Sequence, residues 1–69
     1  MSKKKYTIGK PIRTVAEFER SDSKFYIVFF GMTTAKTLHR SFLESWQYHT
    51  LKLFCDRGNV YTAERIEDE

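Results

Sequence analysis

One cysteine, one proline and three glycines are all that these 69 residues contain of those types. A lone cysteine excludes a disulfide within the chain, which suits a reducing compartment and makes the cytoplasm the expected location. Gly9, Gly31 and Gly58 are too far apart for a phosphate-cradling loop. The longest apolar run, residues 25–30, is far too short for a bilayer, which takes about 20 apolar residues. The opening stretch MSKKKYTIGK has the positive start of a secretory signal but lacks the apolar segment that should follow. No membrane partner is expected.

Groups that do chemistry are scarce too. His39, His49 and Cys55 are the soft metal ligands, and their spacings match neither a CxxC nor an HxxxH pattern. On one helix Cys55 and His49 point apart, so they make no nucleophile–base pair. Glu17, Glu19 and Asp22 read as solvated surface charge, and a chain this short has little material for an enclosed pocket. The expectation is a non-enzymatic protein with no metal, cofactor or small-molecule substrate.

Acid is missing from the first 13 residues, which hold Lys3, Lys4, Lys5, Lys10 and Arg13. Four acids and one base crowd residues 64–69, and the stretch between is nearly neutral. The net charge of +3 therefore belongs to the N-terminal end. That location weakens a nucleic-acid reading without removing it.

What the chain has is aromatic side chains, 16% of its residues. Small domains bury a small fraction of their surface, and large rings are an efficient way to fill a scarce core. Residues 1–9 read as a flexible basic arm, 10–66 as a single α+β domain and 67–69 as an acidic frayed tail. IRTVAEFER alternates Ile12, Thr14, Ala16 and Phe18 against Arg13, Val15, Glu17 and Glu19, which predicts a half-buried strand. The SDS link at residues 21–23 then leads into KFYIVFF, and the two runs read as a hairpin. The second run is apolar on both faces, as a central strand is. Residues 34–39 read as a third strand on their threonines, with helix as the competing reading. Ser41 and Glu44 fit a capping box opening a helix over 42–56, and Gly58 sits where helices commonly end. The fold expected is a small antiparallel sheet, β-β-β-α-β, with one amphipathic helix packed on one face.

That helix carries two apolar stripes. At about 100° per residue, Phe42, Leu43, Trp46, Thr50, Leu53 and Phe54 form one arc, expected to face the sheet. Tyr48, Leu51 and Cys55 form a second, directed away from it. Three apolar surface residues are ordinary in any protein. Set beside the scarce core and the two-faced strand, they point to a partner, reached through Tyr48, Leu51 and Cys55 or through the sheet residues Tyr26, Val28 and Phe30.

The function expected is a small protein–protein interaction module. It would be homodimeric or bound to another protein, in the manner of a phage or mobile-element accessory protein that binds and modulates a host protein. The alternative is a regulatory nucleic-acid binder using Lys3, Lys4, Lys5, Tyr6, Lys10 and Arg13 of the basic arm together with sheet aromatics.

Overall fold

The computed structural model describes residues 5–66. It is an α+β domain in which a four-stranded antiparallel sheet carries all its helices on one side. In chain order the elements are β1 (Lys5–Ile12), α1 (Val15–Arg20), β2 (Phe25–Phe29), β3 (Ala35–His39), α2 (Arg40–Glu44), α3 (Tyr48–Asp56) and β4 (Val60–Ile66). The strands lie side by side as β1-β4-β2-β3. Each half of the chain is thus a split β-α-β unit, with one antiparallel strand inserted between its two strands.

The class matches the sequence expectation, while three elements differ. From Lys5 onward the expected arm is an edge strand paired with β4. Residues 1–4 of that arm and the tail 67–69 lie outside the described residues.

The second difference is IRTVAEFER, which turns into α1 after Ile12 rather than remaining extended. Thr14 caps the helix by accepting a hydrogen bond from the Glu17 N–H at 3.1 Å. The Glu17 carboxylate reaches back to accept from the Arg13 N–H at 2.7 Å. The first bond satisfies an orphan amide of the first turn and the second ties down the residue before the cap, so T-V-A-E works much as a capping box does. Phe18 is buried and Val15 half-buried, the i, i+3 spacing of a short amphipathic helix.

The third difference is the long helix, which breaks in two. Ser45 and Trp46 N–H groups donate to the carbonyls of Phe42 and Leu43, three residues back, so α2 ends in a tightened turn. The Ser45 hydroxyl also donates to the Phe42 carbonyl at 2.6 Å. Gln47 is then extended (ψ 150°) and starts α3. The expected Ser41–Glu44 box does not form: the cap is His39, whose Nδ1 accepts from the Ser41 N–H, and Glu44 pairs with Arg40 instead. The far end follows expectation, since Gly58 has φ 72° and the Gly58 and Asn59 amides donate to Cys55 and Phe54 carbonyls, closing a Schellman motif.

The break rotates the second segment. Along one continuous helix, Leu51 lies about 80° around from Leu43, yet both are buried in the same core. Phe42 and Leu53, expected inside, are largely exposed. The core consists of Ile12, Tyr26, Val28 and Val60 from the sheet against Phe18, Leu43, Leu51 and Cys55 from the helices.

Candidate functional site

Four residues expected to meet a partner belong to this core. Tyr26, Val28 and Cys55 are fully buried and Leu51 is 6% exposed. They contribute no surface, and the second stripe is in fact the inner face of α3. Tyr48 remains at the surface, 66% exposed. Phe30 is 44% exposed at the end of β2, and its ring packs edge-on to Trp46 and Phe54. The structure does not bring Tyr48 and Phe30 together with the other four.

Strand alternation shows which surface is left open. Successive side chains of a strand point to opposite faces, and residues directly opposite in a ladder share one. Tyr26 and Val28 face the helices, so Phe25, Ile27 and Phe29 face the other way. Ladder partners place Ala63 and Tyr61 of β4, and His39 and Thr37 of β3, on that same side. Pairing of β1 with β4 adds Ile8 beside Ala63 and Tyr6 beside Arg65.

No helix among the described residues covers this face. Its rings cover one another instead: Tyr6 and Phe25 come within 5.2 Å between centroids, reaching across β4 from its two flanks. The methyl side chain of Ala63 leaves room for that approach, which explains why Ala63 is buried on an otherwise open face. His39 meets Phe25 edge-on at 5.3 Å, and Phe29 meets Tyr61 at 5.8 Å. Phe25, Ile27, Phe29 and Tyr61 each remain half-exposed. Glu64 alternates to the opposite side, so no strand carboxylate among the described residues lies on the open face, while Arg65 and His39 do.

The sequence reading assigned the two faces of β2 the wrong way round. An apolar run of six offers no alternation to tell them apart. The signal available was the pairing of Tyr6 and Tyr61 with Phe25 and Phe29, and that depends on knowing the strand order.

The basic residues of the alternative reading scatter. Lys3 and Lys4 lie outside the described residues, and Lys5 begins β1. Tyr6 is on the open face. Lys10 sits in the irregular part of β1, its N–H bonded to Thr62 Oγ1 at 2.8 Å, and Arg13 precedes α1.

On the helical side, Arg40 is the best-connected charge. Its guanidinium donates to Glu44 at 2.7 Å, to the Ser21 carbonyl at 2.6 Å and to the Tyr26 hydroxyl at 3.2 Å. It also donates to the Glu19 carbonyl at 3.3 Å and lies 4.6 Å above the Phe18 ring. The hydrogen bond to Glu44 raises its pKa. These contacts join α1, β2 and α2, so Arg40 is a structural clamp rather than a binding group. Burial pushes the Cys55 thiol up to about 11, assisted by Asp56 and Glu17, which leaves it protonated and unreactive at neutral pH. Among the described residues no three histidine, cysteine or acidic side chains gather where they could hold a metal. No helix among them is long and apolar enough to cross a membrane.

Comparison with protein-family models, with curated proteins and with solved structures returned no match.

Proposed function

We propose that this chain is a small non-catalytic module of the cytoplasm that binds another protein on the open face of its sheet. The observation that carries this reading is the row Phe25, Ile27 and Phe29 with Tyr6 and Tyr61, apolar and half-exposed on the side away from the core. Covering one such half-exposed side chain contributes about 1–2 kcal/mol, so the row supplies the apolar centre of an interface, to which polar contacts at its rim must add to offset the cost of association. The protein bound is one whose activity the module modulates, as phage and mobile-element accessory proteins do to host proteins.

Ile27→Glu tests the reading, because residue 27 faces outward and a charge there interrupts the row without entering the core. Immobilised wild type should retain a partner that Ile27→Glu loses and Lys36→Glu, on the other face, keeps. Equal retention by all three proteins would remove the open face from consideration.

A second reading is supported by one observation: the face is free of strand carboxylates and carries Arg65, His39 and the stacking-competent Tyr6. That arrangement suits single-stranded nucleic acid. Material retained under this reading would be nuclease-sensitive and released steeply by salt.

A further inference from the structure

The two edges of the sheet are not equally protected. β1 is interrupted by a register shift between Ile8 and Pro11, and it contains the proline, which lacks a donor. Both are devices that stop an edge strand from accepting a neighbour. β3 at the other edge has neither and relies on Lys36 alone, while it pairs with β2 in unbroken register from Ala35 to His39.

The ladder also shows which backbone groups of β3 face outward. Phe30 N–H donates to the Thr34 carbonyl and Arg40 N–H to the Lys24 carbonyl, at the two ends of the pairing. Antiparallel bonding alternates by residue, so residues 34, 36, 38 and 40 direct their N–H and C=O groups to β2. Ala35, Thr37 and His39 direct theirs away, and among the described residues nothing pairs with them.

We propose that β3 pairs antiparallel with β3 of a second copy about a twofold axis at Thr37. In that register Thr37 stands opposite the partner's Thr37, and Ala35 stands opposite the partner's His39. The outward groups of all three then exchange about six backbone hydrogen bonds. The choice of a second copy rests on charge and shape. Lys36, the one charged side chain of the strand proper, stands opposite the partner's Leu38 rather than its own counterpart, so no like charges meet directly. The threonine pair at the centre is a favourable cross-strand match. Both routes to self-association offered by the sequence, the Tyr48–Leu51–Cys55 stripe and the Tyr26–Val28–Phe30 row, are closed by burial of Leu51, Cys55, Tyr26 and Val28. Edge pairing leaves the aromatic face uncovered and doubles it across an eight-stranded sheet, so it does not compete with the function proposed above.

Sedimentation equilibrium from micromolar to millimolar protein tests this, with amide hydrogen exchange read residue by residue. The wild type should dimerise, and exchange at Ala35, Thr37 and His39 should slow by about tenfold or more as concentration rises. Lys36 and Leu38 should be protected throughout. Thr37→Pro removes one outward donor while sparing every bond to β2, and should weaken the dimer by about 100-fold or more. Thr37→Val should leave it intact, as should Ile27→Glu. A wild type that stays monomeric overturns the proposal. So does a dimer in which the amides of residues 35, 37 and 39 still exchange freely, a result that needs no variant to fold.

Discussion

Replacing Arg40 by methionine would keep the aliphatic stem and delete the fork that joins α1, β2 and α2. The largest loss comes from Tyr26, a fully buried residue for whose hydroxyl Arg40 supplies a donor at 3.2 Å. Leaving such a group unpaired costs about 1–3 kcal/mol. Losing the guanidinium above Phe18 adds about 0.5–1 kcal/mol, and the partly exposed pair with Glu44 about 0.3–0.5 kcal/mol. The carbonyls of Ser21 and Glu19 regain water at little cost. The total is about 2–4 kcal/mol, from a stability of about 3–10 kcal/mol expected for a chain of this length. Urea titration followed by Trp46 fluorescence should show the midpoint falling with an unchanged slope. Arg40→Lys keeps the charge near Glu44 and Phe18 but cannot fork, and should recover about half of the loss. Adding Tyr26→Phe to Arg40→Met removes the orphaned hydroxyl and should restore about 1 kcal/mol. Arg40 is not the clamp described if Arg40→Met stays within about 0.5 kcal/mol of wild type, or if Tyr26→Phe costs the same in both backgrounds.

The remaining expectations concern the core and its turns. Leu51→Asp places a charge in the core and should abolish cooperative unfolding by circular dichroism, whereas Tyr48→Asp at the surface should change stability by less than about 0.5 kcal/mol. Cys55 should resist thiol reagents at pH 8 until denaturant unfolds the chain, so that labelling follows the unfolding curve. Because its folded pKa of about 11 lies above the ordinary thiol value of 9.0, the unfolded state releases its proton first. Stability should therefore be constant with respect to this group below pH 9 and fall by up to about 1.4 kcal/mol per pH unit between the two values, a slope that Cys55→Ala removes. Gly58→Ala should cost about 1 kcal/mol by thermal melting, since φ there is 72°, while Gly31→Ala, with open space around it, should be nearly neutral.

Several features were readable because their causes are local. The Gly58 stop needs only a residue tolerant of positive φ after a helical run, and it formed as expected. The extended state of residues 35–39 was favoured over helix by the threonines at 33, 34 and 37. T-V-A-E at residues 14–17 was readable too, as a capping pattern, but the alternation of Ile12, Thr14, Ala16 and Phe18 competes with it over so short a stretch. The residues of the open face were the least readable. Phe25–Phe30 is apolar at every position, so it carries no phase by which its inner face could be chosen. Around Ser45–Gln47 a three-residue interruption changes the phase of everything after it, which moved Leu51 and Cys55 from back to belly.

Composition and local pattern determined a small α+β fold rich in aromatic side chains, with no disulfide within the chain and its net charge concentrated at one end. Only the tertiary structure decided which side of the sheet the helices would occupy and which would be left bare. The reason is that β4 lies between β1 and β2. Tyr6 and Phe25, nineteen residues apart in the chain, become neighbours only when that central strand is in place, and the face they share does not exist before it.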